Sequence, residues 1–300
     1  MPVELPLFFD CNEDQLLGVL HQPPTIALSD IGMLMVVGGP QYRVGSHRQF
    51  VLLARSLAAA GIPVFRFDYR GMGDSEGGQR DFENISSDIR AALDSFVANS
   101  AGVRRVVLWG LCDAATANTF YALSDSRVVG QIALNPWVRT EEGEAQAFLR
   151  HYYVRRICSA VFWRKVFALK FNAIDATRDF LRNLGRRRAS DDAVELSRDI
   201  RPLPMRVRDA QLSFAGSSLL ILSGQDLTAR EYDMRVAESA EWKHWIASTN
   251  VTVRRLMNAD HTFSCAEWRD QVADWSRDWV VRLSGEEPVA SHYGDRSDGS

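Results

Sequence analysis

The segment from Arg104 to Thr116, Arg-Arg-Val-Val-Leu-Trp-Gly-Leu-Cys-Asp-Ala-Ala-Thr, constrains this chain more than any other. Val106 to Trp109 form a short, continuous apolar run, as expected of a strand buried on both faces of a parallel sheet. Gly110 follows at once, then Cys112, then the small residues Ala114, Ala115 and Ala117. Gly-x-Cys-x-Ala is the pattern of a sharp strand-to-helix turn that lifts one side chain clear of the backbone, a nucleophile elbow with Cys in place of Ser. The residues two before and two after the lifted one must be small, because strand end and helix start approach closely there. A thiol at that point faces a helix N-terminus, whose dipole favours thiolate, while the neighbouring Asp113 opposes it. The plainer reading of Cys112 is a buried structural cysteine after a core strand.

The other strands follow the same pattern. Val3–Cys11 and 15–21 read as a hairpin joined by Asn12-Glu13-Asp14 at a sheet edge. Runs at 33–37, 63–67, 131–134, 219–223 and 251–256 are short and apolar. Amphipathic helices are expected from a capping box at Ser46-x-x-Gln49 through Ala60, with Gly61 ending the helix, and over 85–98 and 270–283. Strands alternating with helices predict an α/β fold with a mostly parallel sheet flanked by helices. The core is expected over 1–138 and 218–284, interrupted by an inserted helical cap at 139–217. Residues 285–300, polar and without periodicity, are expected to be disordered.

Within the insertion, positions 150 to 188 hold eleven basic residues and two acidic ones, Asp175 and Asp179, and aromatic residues interleave with them from Phe148 to Asn172. Three readings stay open: a cap over the sheet, a solvated helical face, or a helix on a membrane surface. Over the whole chain 35 basic residues meet 38 acidic ones, so nothing draws it to nucleic acid. Cys11, Cys112, Cys158 and Cys265 lack metal-ligand spacing, which predicts thiols in a reducing compartment. No metal or cofactor is expected. No signal-peptide pattern opens the chain, and no run is long enough to span a bilayer, so the expected location is cytoplasmic.

A cysteine nucleophile needs a base, and the base needs an orienter. His261 follows the last strand after a short loop, which delivers an imidazole to the elbow's edge of the sheet. His47, in the first turn of a helix, is the only rival; His21, His151, His244 and His292 are badly placed. Asp226 follows the 219–223 strand and serves as the acid, whereas Asn135 at the end of the preceding strand cannot. A turn-forming Asp is the plainer reading of Asp226. For the developing oxyanion, donors are expected from the backbone N–H of Asp113 and from the loop after Val37. Pro40 has no N–H, so Gln41 is favoured over Gly39.

Gly73-Asp-Ser75-Glu-Gly77 also matches Gly-x-Ser-x-Gly, but no helix follows it and acids flank the serine, so Ser75 is not expected to act. The same loop lacks the third glycine of a dinucleotide site, and Asp74 and Glu76 repel phosphate.

The elbow, Asp226, the Asn258-Ala-Asp-His261 loop and Asp68-x-Arg-Gly-x-Gly-x-Ser together resemble the α/β-hydrolase superfamily. The phrases Gly-Gly-Pro-Gln-Tyr-Arg-Val-Gly-Ser-His-Arg (38–48), Trp-Gly-Leu-Cys-Asp-Ala (109–114) and Leu-Asn-Pro-Trp-Val (134–138) are similar to the bacterial exosortase A system-associated hydrolase 1 family. The resemblance spans roughly residues 1 to 283 and implies an acyl hydrolase acting on esters or thioesters, encoded beside exopolysaccharide and protein-sorting genes. Cys112 departs from the superfamily's usual serine. A binding protein that keeps the fold without activity, an acyltransferase and a peptidase remain alternatives. If the cap lines the site, its aromatic and basic residues suit a small acyl substrate carrying an anionic group.

Overall fold

The computed structural model describes residues 2–24, 30–39, 41–139 and 199–285. The chain divides into two units, one comprising 1–138 with 207–300 and the other 139–206. The expected cap falls largely on 140–198, outside the described residues, as do residues 286–300 of the expected tail. In the second unit the described residues are Arg139 and 199–206, with helix α4 (Leu203–Ser213) beginning in it and continuing into the first unit.

The first unit is built on one eight-stranded sheet: β1 (Val3–Cys11), β2 (Asp14–Gln22), β3 (Ile31–Val36), β4 (Val64–Phe67), β5 (Arg105–Leu111), β6 (Val128–Leu134), β7 (Ser217–Ser223) and β8 (Val251–Leu256). Their order in space is β1-β2-β4-β3-β5-β6-β7-β8. The β1–β2 hairpin is antiparallel and joins β4 antiparallel, and every pairing from β4 to β8 is parallel. This is the mostly parallel α/β sheet expected from the alternation of short apolar runs and helices, and the arrangement that the α/β-hydrolase resemblance implies.

The central strands read as unbroken apolar runs because each face meets its own helical layer. Met33, Met35, Val107, Trp109 and Leu111 point into one core, shared with Phe50, Leu53 and Leu57 of α1 (Gln49–Ala59) and Val272 and Trp279 of α7 (Ala266–Ser284). Leu34, Val36, Val106 and Leu108 point into the other, with Ile89, Leu93 and Phe96 of α2 (Ser86–Asn99) and Ala114 and Ala117 of α3 (Asp113–Tyr121). Burying a side chain of this size stabilises the fold by roughly 1.5–3 kcal/mol, so these layers fix the sheet from which the site loops spring.

Some local expectations needed revision. Ser46 does not cap α1: a short 3₁₀ turn over Ser46–Arg48 precedes it, with His47 and Arg48 at φ 53° and 59°. The Ser46 hydroxyl turns instead to Gln41 Oε1, at 3.4 Å, so it is spent on the loop and not on the helix. Helices α5 (Leu227–Glu238) and α6 (Ala240–Ile246) fill the β7–β8 crossover. Beneath them Gln211 of α4 accepts from Tyr232 Oη at 2.9 Å and Trp242 Nε1 at 2.7 Å. Among the described residues no helix is long and apolar enough to cross a membrane.

Candidate active site

The parallel strands β5, β7 and β8 end on one edge of the sheet, the edge where ligands bind in open α/β folds. Cys112 follows β5 with φ 62° and ψ −123°, a conformation unfavourable for any residue with a Cβ and costing on the order of 1–3 kcal/mol. The surroundings impose it. Cys112 N–H donates to Leu134 O at 2.8 Å, extending the β5–β6 ladder, and its carbonyl accepts from Ala115 N at 3.1 Å and Trp137 N at 3.3 Å. The need for small neighbours is explicit. A Cβ on Gly110 would lie 2.8 Å from both Ala114 C and Ala115 N, backbone atoms that cannot swing aside. Cys11, Cys112 and Cys265 are thiols.

Asp226 follows β7 and opens α5. Its Oδ1 accepts from Thr228 N and its Oδ2 from Ala229 N, both at 3.2 Å, so it caps the helix. The same Oδ2 lies 2.9 Å from His261 Nδ1. In a neutral imidazole this contact places the proton on Nδ1, next to the carboxylate, and leaves Nε2 its lone pair, the arrangement a general base requires. The Asp226 side chain is 6% exposed and that of His261 37%, which leaves the imidazole reachable above a buried anchor.

The His261 loop is tied down by its own acid: Asp260 Oδ1 accepts from Thr262 N at 3.2 Å and Ser264 N at 3.0 Å. It is also tied to β6 and β7. Asn135 Nδ2 donates to His261 O at 3.2 Å, and Ser223 Oγ donates to Asp260 O at 2.9 Å. The end of β6 thus meets both loops, since Trp137 N reaches Cys112 O two residues further on.

Asp113 does more than present a helix N–H. Its Oδ2 accepts from Gly39 N and its Oδ1 from Ala114 N, each at 2.9 Å. Burial pushes its carboxyl above the ordinary carboxylate range, against the pull of those two N–H groups and of its own. A Cβ on Gly38 would lie 2.2 Å from Asp113 Oδ1, so the glycine is what lets the carboxylate dock on this loop. Gln41 N–H donates to Gly39 O at 2.8 Å, and its Oε1 accepts from Ser46 N at 3.2 Å. Both loop donors considered for an oxyanion are therefore engaged within the protein, and Pro40 lies outside the described residues. The Asp113 N–H is in the first turn of α3, where no intrahelical partner exists.

The remaining expectations resolve as follows. His47 lies in the 3₁₀ turn before α1, and the imidazole bonded to Asp226 is that of His261. His21, on β2 of the hairpin, is buried and accepts from Arg66 Nε at 2.8 Å, while His244 sits on α6. His151 and His292 lie outside the described residues. Ser75 is structural: its Oγ donates to Asp68 O at 2.6 Å and accepts from Leu17 N at 2.9 Å, fastening the glycine loop to β2. Asp68 in turn binds Arg43 through its backbone N, at 2.6 Å, and its guanidinium, which holds the Gly38–Arg43 loop from behind. Among the described residues no three His, Cys, Asp or Glu side chains gather as metal ligands. The polar network of Asn135 and Ser223 and the docking of Asp113 on Gly39 were not anticipated from the sequence.

A family model described as the alpha/beta hydrolase family matches residues 33–275. No curated protein matches this sequence significantly. Among solved structures, an esterase of Pyrococcus furiosus, Pf2001, is similar at a TM-score of 0.64 and 15% identity, over 93% of this chain and 91% of that one. Est1E from Butyrivibrio proteoclasticus, solved with ferulic acid bound, is similar at a TM-score of 0.60 and 16% identity, over 93% and 100%. XC6422 from Xanthomonas campestris, an α/β serine hydrolase without a lid, is similar at 0.56 and 15% identity, over 95% and 97%.

Proposed function

We propose, since this chain belongs to the alpha/beta hydrolase family, that it hydrolyses ester or thioester bonds through a Cys112–His261–Asp226 triad. The observation that carries the reading is the 2.9 Å contact between His261 Nδ1 and Asp226 Oδ2, on the same sheet edge as a cysteine held at φ 62° on an elbow. Esterases among the similar folds favour an acyl substrate.

In the proposed reaction, His261 Nε2 takes the Cys112 proton as sulfur attacks the acyl carbonyl. The oxyanion is met by the Asp113 N–H, joined by the Gln41 N–H once the Gly39–Gln41 turn opens. On collapse, the bond to the leaving oxygen or sulfur breaks and the leaving group carries away the proton from His261. Water, deprotonated by the same imidazole, then hydrolyses the Cys112 thioester. An acceptor alcohol or thiol in place of water would make the enzyme a transferase.

Kinship with the exosortase A system-associated hydrolase 1 family, a cytoplasmic site of action in a bacterium and an anionic acyl substrate belong to this proposal and rest on the sequence. So does contact of the basic 150–188 stretch with that substrate or with a membrane surface; most of that stretch's support is its composition.

A second reading, a ligand-binding protein without turnover, is favoured by one observation: both loop donors are engaged, one of them by a carboxylate beside the nucleophile. Incubation with activated acyl esters, followed by peptide mass spectrometry, separates the two. Hydrolysis requires an acyl adduct on Cys112 that is lost in Cys112→Ala; an adduct on Ser75, or one unchanged in that variant, would sink the triad.

A further inference from the structure

We infer that Asn135 and Ser223 are positioning residues for His261, and that the end of β6 carries an amide because that place is used to hold the histidine loop. The inference deepens the triad reading and rests on it. Asn135 follows β6 at φ 44°, a left-handed conformation that Asn tolerates better than most side chains. It is fully buried, and Ser223 at the end of β7 is 3% exposed. Asn135 Oδ1 accepts from Ser223 N at 2.9 Å. Its Nδ2 donates to Ser223 Oγ at 2.9 Å and to His261 O at 3.2 Å. The Ser223 hydroxyl passes its own proton on to Asp260 O at 2.9 Å. Two side chains thus hold the carbonyls of the two consecutive residues, 260 and 261, that aim the imidazole.

The polarity of this network explains the residue type. Both N–H groups of the Asn135 amide face acceptors, the Ser223 hydroxyl oxygen and the His261 carbonyl, while its oxygen faces a donor. A carboxylate at the same place keeps the bond from Ser223 N but turns lone pairs toward the other two oxygens, in a buried, poorly screened site. The end of β6 therefore cannot hold both the loop and an acid, and the acid stands at Asp226. The network reaches the histidine loop at two carbonyl oxygens, so its effect on chemistry runs through the backbone of that loop. Displacing a catalytic group by about an ångström costs on the order of 100-fold.

The test compares Asn135→Asp, Ser223→Ala and Ser223→Thr with the unaltered protein, by steady-state kinetics on an activated acyl thioester and by proton NMR. The far-downfield resonance of the His261 Nδ1–H, assigned by its loss in His261→Gln, reports the bond to Asp226 directly. Asn135→Asp and Ser223→Ala are expected to lose or broaden that resonance and to lower kcat about 100-fold at unchanged KM. Ser223→Thr, which keeps the hydroxyl, is expected to retain both. Should Asn135→Asp fail to fold, the Ser223 pair decides. A folded Ser223→Ala with the wild-type resonance and kcat, only less stable, would overturn the positioning role. If the resonance responds to Ser223 while the unaltered protein turns over no acyl ester or thioester, positioning stands and the hydrolase reading falls.

Discussion

Asp226 performs two tasks with one carboxylate, and they can be separated by substitution. It caps α5 through Thr228 N and Ala229 N at 3.2 Å, and it orients His261 at 2.9 Å. Asn and Asp are near-equal helix caps, whereas Ala in that place costs roughly 0.5–2 kcal/mol. Asp226→Asn therefore keeps the Oδ1 bond to Thr228 and most of the stability. It presents an N–H toward Nδ1, however, so the imidazole shifts its proton to Nε2 and cannot act as a base. An isosteric loss of the acid in a triad lowers turnover about 10⁴-fold, or roughly 5 kcal/mol of transition-state stabilisation. Asp226→Ala should match that loss and in addition unfold at lower urea by about 1 kcal/mol. The assay is steady-state hydrolysis of an activated ester, paired with urea denaturation of each variant. An Asp226→Asn enzyme within tenfold of wild type would refute the orienting role. Equal stability of the Asn and Ala variants would refute the capping one.

Other consequences follow from particular residues. Burial, aided by the neighbouring Arg66 charge, lowers His21 from 6.5 to about 4. The unfolded chain therefore binds the proton first, and roughly 3 kcal/mol of stability present above pH 6.5 is lost as pH falls toward 4. Urea midpoints should show this loss in the wild type and much less of it in His21→Gln. Gly110→Ala drives a Cβ to 2.8 Å from the backbone of Ala114 and Ala115. It should cost about 1–3 kcal/mol and most of the activity, seen in thermal melts and ester turnover together. Ser75→Ala removes a bond to Asp68 O and one from Leu17 N, so it should lower stability by about 1–2 kcal/mol and leave kcat unchanged.

What was legible in the sequence was local or positional. The elbow shows because close approach forces Gly110 and Ala114 to be small, and the apolar runs show because β3 and β5 are buried on both faces. Asp226 and His261 were identified as residues just past strand ends, and the structure brings them together across 35 positions. The Asn135–Ser223 and Asn135–His261 bonds span 88 and 126 positions, and no spacing rule reaches that far. The capping box at Ser46 had the right letters but lost to Gln41, which takes up Ser46's hydroxyl and N–H. Asp113 was recognised as a charge opposing the thiolate. Its grip on Gly39 was hidden because it depends on a glycine loop arriving from another strand end.

In the proposed reaction Cys112 carries the acyl group and His261 drives both its arrival and its departure. Rapid-quench single-turnover kinetics with an activated thioester, followed by mass spectrometry of the Cys112 peptide, follows both steps. A Cys112 thioester that forms and decays at least as fast as steady-state turnover is expected. In His261→Gln, acylation should be slowed, and any adduct that forms should persist. An adduct that decays more slowly than turnover, or one whose rates are indifferent to His261, would contradict it.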